Sequence, residues 1–372
     1  MKTMVTATRI LSGTLPPNPT PVDIFFNELQ PQKNPFPHPF CRGGSPLTFL
    51  LRIENLTTSF ITDEGVVPAV RQVDLEIKRG KTLALVGESG CGKSVTALSV
   101  LRLIPMPPGR FESGQILFNG RDLLKVPEKE METVRGNEIS MIFQEPMTSL
   151  NPIFTIGEQI AETLLQHKKM DPRKARERTL ESLRKVAIPS PEKRIDQYPH
   201  ELSGGMKQRV MIAMAIACEP ELLIADEPTT ALDVTVQAQI LDLLENLRRE
   251  THMAILLITH NLGIVAQYAE RVVVMYAGKV VEEAPVGTLF ESPAHPYTRG
   301  LLHSLPQGEP GKRLEAIPGT VPHPAYIPAG CAFHPRCSET LPPCKERIPP
   351  AFPINNDPTH KASCWLYGEP EG

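Results

Sequence analysis

The feature that most constrains the fold is a glycine-rich loop placed directly after a short apolar run. Residues 82–86 form that run and have the continuous apolar character of a strand buried on both faces. Glycines free the backbone to turn its N–H groups inward, as a cradle for phosphate oxygens requires. The loop comprises Gly87, Glu88, Ser89, Gly90, Cys91, Gly92, Lys93 and Ser94. This strand–loop pattern predicts a nucleotide-binding α/β fold.

The residues at the end of the loop suit the binding of ATP with Mg²⁺. A helix is predicted to start at about Gly92, and its positive N-terminus favours phosphate. The Lys93 ammonium would reach the terminal phosphates, and the Ser94 hydroxyl suits Mg²⁺. Because the eight-residue pattern seldom arises by chance, a purely structural glycine turn is the weaker interpretation. The Cys91 thiol is interpreted as incidental, since backbone N–H groups do the binding.

An acidic pair follows a second apolar run, residues 222–225. Asp226 would therefore lie at the carboxyl edge of a parallel sheet, where ligands bind in open α/β folds. Its carboxylate would hold Mg²⁺, in part through water. Glu227 would face the γ-phosphate and polarise the attacking water. The alternative, an acidic pair on a solvated turn, fits poorly with so apolar a strand.

Two more polar residues follow apolar runs and are candidates for the same edge. His260 comes after residues 254–258 and would hydrogen-bond the γ-phosphate, although a lone histidine is more often structural. Gln144 comes after residues 139–143, where a neutral amide can contact Mg²⁺ and water. Both are therefore assigned to the catalytic group with Glu227.

Two other segments carry local structural signals. Residues from about 147 to 215 are predicted to be helical, with one helix opening at Asp171–Pro172. The side chains predicted to line one face of that helix are Leu180, Leu183 and Ala187. Residues 271–283 are predicted to form a hairpin with Ala277 and Gly278 at its turn.

A second anion site is predicted where Ser203, Gly204 and Gly205 precede a long helix. Ser203 is the expected N-cap, and exposed N–H groups at a helix start attract anions. Helical sequence separates this site from the glycine-rich loop. Two phosphate sites in one chain make sense if a partner chain completes each of them; a plain helix cap is the alternative.

Composition narrows the class of protein. The chain has 372 residues, a net charge of −3 and a pI of about 6.4, so nothing indicates a nucleic-acid partner. No apolar run approaches the roughly 18 residues of a membrane helix, and no secretory signal is evident. We expect a cytosolic protein with reduced thiols. Residues 1–48 are rich in proline and are interpreted as a flexible leader.

Together these motifs resemble the ATP-binding subunits of ABC transporters, from about residue 51 to the C-terminus. Phe60 stands where that family places an aromatic residue that stacks on adenine, although such a residue is often only part of a core. The matching motifs are the Walker A loop (residues 87–94), the Q-loop (Gln144), the signature (residues 202–206), the Walker B strand (residues 222–227), the D-loop (residues 230–233, ending in Asp233) and the switch histidine (His260).

Several segments are similar to the peptide-importer branch of that family. The best match is the first ATPase subunit of dipeptide, oligopeptide or nickel importers. The signature departs from the commoner form because Met206 takes the place of glutamine. The segments are residues 141–152, 198–201, 206–209 and 295–298.

The C-terminal part holds four grouped cysteines, separated by five, six and nineteen residues: Cys331, Cys337, Cys344 and Cys364. Four thiolates in a cytosolic, proline-rich segment suit a metal staple. The spacing lacks the C-x-x-C pairs of zinc ribbons and resembles the extension of peptide-importer ATPases, which can hold a [4Fe–4S] cluster. That cluster is favoured over structural Zn²⁺ and over free thiols or disulfides.

The resemblance implies an α/β P-loop NTPase fold with an ABC-type nucleotide-binding domain at residues 49–290. It implies an inserted helical subdomain at about residues 147–215. A small, metal-stapled extension would occupy residues 291–372. The cofactors would be ATP and Mg²⁺ with the cluster, and residues 203–205 would act in trans on ATP held by a partner.

The implied activity is ATP hydrolysis that powers import of peptides, or of a related solute such as nickel or glutathione. The implied partners are a second ATPase subunit (paralogue or self), two membrane-spanning permeases and an extracytoplasmic solute-binding protein. The location would be peripheral, at the cytoplasmic face of the inner membrane. The alternative is a soluble, non-transport ABC ATPase, although such proteins often carry two nucleotide domains or long coiled-coil insertions. The sequence does not identify the cargo.

Overall fold

The computed structural model describes residues 49–144, 149–230, 232–305 and 316–368. The predicted leader, residues 1–48, lies outside the described residues. In chain order the strands are β1 (Leu51–Thr62), β2 (Gly65–Ile77), β3 (Thr82–Val86), β4 (Gly109–Phe118), β5 (Arg121–Asp122), β6 (Ile139–Ile142), β7 (Leu222–Asp226), β8 (Ala254–Ile258), β9 (Arg271–Tyr276), β10 (Lys279–Pro285), β11 (Phe352–Ile354) and β12 (Asp357–Ala362).

The helices alternate with the strands of the nucleotide-binding part and dominate the segment between β6 and β7. They are α1 (Lys93–Val100), α2 (Glu128–Val134), α3 (Ile156–Lys168), α4 (Pro172–Lys185), α5 (Pro191–Arg194), α6 (Gly204–Ile216), α7 (Val234–Thr251), α8 (Leu262–Tyr268), α9 (Val286–Glu291) and α10 (Pro296–His303). Short 3-10 turns occupy Pro199–Glu201, His334–Arg336, Pro342–Lys345 and Trp365–Tyr367.

The strands form a smaller antiparallel sheet, in the order β2–β1–β4–β5, and a larger sheet, in the order β11–β12–β10–β9–β3–β8–β7–β6. From β9 to β6 neighbouring strands of the larger sheet are parallel. Every residue of β3, β7 and β8 is buried, as their unbroken apolar sequences predicted. Because these strands are parallel, their carboxyl ends meet at one edge of the sheet.

The hairpin predicted after β8 is confirmed, with Ala277 and Gly278 at its turn. Both residues have positive φ, 45° and 81°. A Cβ at position 278 would lie 2.9 Å from the Ala69 carbonyl oxygen, so the turn favours glycine there. The Gly278 N–H donates to the Cys91 carbonyl at 3.0 Å, which ties this turn to the glycine-rich loop.

Helices α3 to α6 lie within the segment predicted to be helical. Asp171 caps α4 by accepting from the N–H groups of Arg173 and Lys174, and Pro172 occupies the first turn, as expected. The prediction that Ala187 lies on the buried face of α4 is wrong, because Ala187 is exposed. The helix ends at Lys185, and the buried neighbour is Val186 instead. Apolar residues of this segment share a core with those of β7 and β8, and its status as a separate subdomain stays a prediction.

The C-terminal part adds strands to the larger sheet. Strand β12 pairs antiparallel with β10, and β11 pairs with β12. The buried carboxylate of Glu282 accepts from the N–H groups of Ala294 and His295, both at 2.8 Å, and lies 2.8 Å from Nε2 of His360. Strand pairing and buried hydrogen bonds therefore attach this part of the chain to the sheet.

Candidate functional site

The glycine-rich loop needs glycine at two positions for steric reasons. Gly87 and Gly92 have φ of 151° and 101°, and Gly92 is the N-cap of α1. A Cβ at position 87 would collide with the Met275 carbonyl oxygen, and one at position 92 would lie 2.5 Å from that of Ala69. Neighbouring backbone thus holds the loop closely, and only glycine fits these two positions.

Lys93 lies in a buried position and is folded back onto the loop. Its side-chain ammonium donates to the carbonyl oxygens of Gly87 and Glu88 at 2.8 and 3.1 Å. The residue is 6% exposed. Beside it, burial raises the pKa of the Cys91 thiol, opposed by the charge of Lys93. A protonated thiol packs as a small apolar group, in keeping with the incidental role assigned to Cys91.

Asp226 ends β7, and one of its carboxylate oxygens accepts no hydrogen bond from the residues that the structure describes. Asp226 is 5% exposed, and its Oδ1 has no hydrogen-bond partner within the described residues. Burial raises the pKa of Asp226, while a hydrogen bond with the Ser94 side chain opposes the shift. A buried, unpaired carboxylate oxygen is costly unless it ligates a cation. Ser94 and Asp226 therefore fit a Mg²⁺ site made of oxygen ligands.

Glu227 stands at the centre of a polar cluster at the same edge. Its side chain is 15% exposed, and its backbone has a φ of 46°, a left-handed conformation that non-glycine residues seldom adopt. Gln144 Nε2 and Thr230 Oγ1 both donate to its Oε2 at 3.0 Å. Nδ1 of His260 lies 3.1 Å from its Oε1. The structure thus brings together three residues that the sequence placed at one edge.

The electrostatics of this cluster keep Glu227 ionised. Burial raises the pKa of Glu227, but hydrogen bonds with His260 and Thr230 outweigh that effect and leave the pKa below its ordinary value. The side chain is therefore an anion near neutral pH. A carboxylate with both oxygens oriented can accept a proton from water or hold a water in place.

The predicted second anion site lies at the start of α6. Ser203 is the N-cap and accepts from the Met206 N–H at 3.4 Å, as expected. Ser203 and Gly204 are exposed, and a Cβ at position 204 would meet nothing within 4 Å. Asp233 caps α7 by accepting from the Val236 N–H at 2.9 Å. Neither Ser203 nor Asp233 hydrogen-bonds with the glycine-rich loop in the described part of the chain.

Phe60 lies half-buried near the end of β1. In register it stands opposite Val67 of β2 and Gly109 of β4. Its neighbours Ile61 and Val66 are exposed, which leaves an apolar tip on this hairpin. The adenine-stacking role of Phe60 stays a prediction.

The four C-terminal cysteines are free thiols, two of them buried. The Cys331 N–H donates to the Cys344 carbonyl at 2.8 Å. Burial, followed by charge interactions with the other three thiols, raises the pKa of Cys364 to about 11. However, the described residues present no group of three or more His, Cys, Asp or Glu arranged to hold a metal ion. The predicted metal staple is therefore not confirmed.

Three residues near the site were missed by sequence reasoning. The sequence assigned Thr230 only to the D-loop motif, but its hydroxyl donates a hydrogen bond to Glu227. Tyr297 was noted only within a family-like segment, and Arg336 had no local signal at all. Both contact Glu88 of the glycine-rich loop from far along the chain.

The parallel α/β sheet, the glycine-rich loop and the acidic strand end together define an ABC-type P-loop NTPase. The model of the ABC transporter family matches residues 70–230, and that of the oligopeptide/dipeptide transporter C-terminal region matches residues 281–344. The chain therefore belongs to the family of ATP-binding proteins of ABC-type peptide transporters, as its similarity to the following relatives shows.

The oligopeptide transport ATP-binding protein OppD of Bacillus subtilis is 52% identical over 322 residues, which cover 86% of this chain and 89% of that protein. The dipeptide transport ATP-binding protein DppD of the same organism is 50% identical over 318 residues, 85% of this chain and 94% of that protein. Among solved structures, a dimeric ATP-binding cassette in a post-hydrolysis state with ADP and Pi is 27% identical. It has a TM-score of 0.57 and covers 63% of this chain and 98% of that one.

Proposed function

We propose that this chain is the ATP-hydrolysing subunit that powers peptide import through a pair of membrane permeases. The observation that carries the proposal is the polar cluster around Glu227, in a chain that also matches the peptide-transporter C-terminal region. The curated relatives reported above are named for oligopeptide and dipeptide transport. That similarity favours peptides over nickel or glutathione, and favours transport over a soluble, non-transport ATPase.

In this proposal the loop and Lys93 hold the β- and γ-phosphates of ATP. Ser94, Asp226 and Gln144 would hold Mg²⁺, which supplies positive charge to the phosphate oxygens. Support comes from the unpaired Oδ1 of Asp226 beside Ser94. The other members of residues 87–94 would contribute backbone N–H groups.

Glu227 orients the attacking water and accepts its proton. The water oxygen forms a bond to the γ-phosphorus as the bond to the β–γ bridging oxygen breaks, which yields ADP and phosphate. Gln144, Thr230 and His260 hold the carboxylate in place for this step. His260 would also hydrogen-bond the γ-phosphate.

A second ATPase subunit, either another copy or a paralogue, completes each site. Residues 203–205 and Asp233 would act on ATP held by that partner. Support comes from the exposure of Ser203 and Gly204 and from the open space at Gly204. Related cassettes have been solved as dimers. Phe60 would stack on the adenine.

The ATPase pair would dock on two permeases at the cytoplasmic face of the inner membrane, with an extracytoplasmic solute-binding protein delivering the cargo. The helical segment and the loop at Gln144 would contact the permeases. In the described part of the chain, no helix is long and apolar enough to cross a membrane by itself. The proposed association with the permeases is peripheral.

The [4Fe–4S] cluster on Cys331, Cys337, Cys344 and Cys364 belongs to this proposal as well. Its support is the proximity of two of these residues, because the Cys331 N–H donates to the Cys344 carbonyl at 2.8 Å. As placed, the thiols do not form a ready site for a single metal ion. Iron and acid-labile sulfide in equal amounts after anaerobic purification would support the cluster, whereas Zn²⁺ or a metal-free protein would refute it.

The proposed function is tested by purifying the chain with its membrane partners and reconstituting the complex in vesicles. Uptake of peptides, glutathione and nickel is then measured with and without ATP on the side of the membrane that carries this chain. Glu227→Gln is the inactive control. We expect ATP-dependent uptake of peptides. Purification without any permease, or uptake of none of the peptides, would contradict the proposal.

A further inference from the structure

Arg336 joins the C-terminal part of the chain to the glycine-rich loop. It lies in the 3-10 turn His334–Arg336, and its guanidinium makes a two-point contact with the Glu88 carboxylate. Nη1 donates to Oε2 at 2.7 Å, and Nη2 donates to Oε1 at 3.1 Å. The Arg336 side chain is only 5% exposed, and that of Glu88 is 29% exposed. A paired guanidinium fork in such a position fixes the direction of the carboxylate.

The remaining surface of the Arg336 guanidinium is also occupied. Nε donates to the Pro318 carbonyl at 2.9 Å. The rings of Tyr276 and Phe333 lie 5.8 and 5.9 Å from its central carbon, within the range of cation–π attraction. Arg336 is therefore held from several sides and presents its two terminal nitrogens to Glu88 as a rigid unit.

Tyr297 holds the same loop residue through its backbone. The Glu88 N–H donates to the Tyr297 hydroxyl oxygen at 2.9 Å. Tyr297 is fully buried, and its ring packs against Tyr276 and Phe333 at centroid distances of 4.7 and 5.3 Å. Both the side chain and the backbone of Glu88 are thus fixed by residues far along the chain.

This attachment matters because Glu88 places a negative charge inside the loop that receives phosphates. An uncompensated carboxylate there repels the nucleotide, and Arg336 neutralises it. The Glu88 carbonyl also anchors the Lys93 ammonium at 3.1 Å, so a shift of Glu88 would move the lysine. The position of Glu88 therefore influences both the charge and the shape of the phosphate site.

We propose that Arg336, supported by Tyr297, is a positioning residue for ATP binding, which acts by neutralising and orienting Glu88 in the glycine-rich loop. The C-terminal part, which includes the match to the oligopeptide/dipeptide transporter C-terminal region, thereby contributes to nucleotide affinity. The inference rests on the proposed ATP site. The experiment that tests the inference measures nucleotide affinity. A negative result can therefore be distinguished from a failure of the chain to power peptide transport.

The test measures the Kd of the full-length chain for a fluorescent ATP analogue with Mg²⁺, at low and at high ionic strength. Arg336→Gln is expected to raise the Kd at least fivefold, on the order expected when one partner of a charge pair is removed. Adding Glu88→Gln to that variant should recover most of the lost affinity, because the unpaired carboxylate is gone. The loss in Arg336→Gln should shrink at high salt, which screens a partly exposed charge.

Two further variants serve as controls. Arg336→Lys keeps the charge but loses the two-point contact, so its Kd is expected to lie between those of the unaltered chain and Arg336→Gln. Arg299→Gln removes a cation of the same region that pairs with Glu339 at 2.9 Å and not with the loop, so its Kd should be unchanged. Thermal unfolding of every variant is measured alongside.

The inference is overturned if Arg336→Gln binds the analogue as the unaltered chain does, or if the double variant is as weak as Arg336→Gln alone. A merely structural role of Arg336 would give that second result. If Arg336→Gln does not fold, Tyr297→Phe decides the matter, because it keeps the ring and removes only the acceptor for the Glu88 N–H. A raised Kd in Tyr297→Phe then supports the inference, and an unchanged Kd overturns it.

Discussion

Nδ1 of His260 lies 3.1 Å from Oε1 of Glu227, although the two residues are 33 positions apart along the chain. The other carboxylate oxygen, Oε2, accepts from Gln144 and from Thr230. Oε1 of Glu227 therefore has one partner and Oε2 has two. A carboxylate held in this way is fixed in direction, which is what a group that must orient a single water requires.

Glu227→Gln should retain ATP binding and lose turnover. The amide has nearly the same shape but cannot accept a proton from water, and general-base catalysis is typically worth 10²- to 10⁴-fold in rate. We expect phosphate release to fall by at least about 100-fold, on that basis, with little change in the Kd for ATP. Glu283→Gln, which alters a carboxylate paired with Arg271, is the matched control and should hydrolyse ATP normally. Unimpaired hydrolysis in Glu227→Gln would refute the assigned role.

Asp226→Asn should stabilise the fold while it abolishes Mg²⁺-dependent hydrolysis. Burial raises the pKa of Asp226 above its ordinary 3.8, so the folded state binds this proton more tightly than the unfolded state does. At a pH above the pKa of Asp226 in the folded state, the ionised carboxylate lowers the free energy of unfolding. That destabilisation disappears as the pH falls below the ordinary pKa of 3.8. Asparagine removes the charge, and we therefore expect a higher melting temperature at neutral pH without Mg²⁺ or nucleotide.

Thermal unfolding of Asp226→Asn and the unaltered chain at several pH values checks this prediction. The difference between them should narrow towards acid pH. Asp357→Asn is the control of opposite sign, because hydrogen bonds from Thr359 lower the pKa of that carboxyl. It should not stabilise the fold at neutral pH. A lower melting temperature for Asp226→Asn would contradict the argument.

Local patterns in the sequence predicted the parts of the site that depend on one stretch of chain. The strand β3 with its loop, the acidic end of β7 and the turn at Gly278 are all set by neighbouring residues. The pairing of Arg336 with Glu88 joins positions 248 residues apart, and that of His360 with Glu282 joins positions 78 apart. Nothing in the local pattern marks such pairs, because they depend on where β12 and the 3-10 turns pack against the sheet.

Replacing the buried Glu282 should loosen the C-terminal part of the chain. In Glu282→Ala the N–H groups of Ala294 and His295 lose their acceptor, and His360 loses its partner. A buried donor left without its acceptor costs about 1–3 kcal/mol, so we expect a fall of at least that order in the free energy of unfolding. Glu282→Gln keeps one acceptor oxygen and should lose less. Denaturant unfolding measures both, with Glu291→Ala, at an exposed position, as control.

Gly204→Asp tests whether the start of α6 acts on a partner's nucleotide. A Cβ at position 204 meets nothing within 4 Å, and an acidic residue in the first turn of a helix is favourable, so the fold and ATP binding by this chain should persist. If α6 faces ATP held by a second subunit, the added negative charge should abolish hydrolysis by the assembled pair. Gly287→Asp makes the same change in the first turn of α9, where the space is also open, and should leave hydrolysis intact. Full hydrolysis by Gly204→Asp, or by a chain kept monomeric, would show that one subunit suffices.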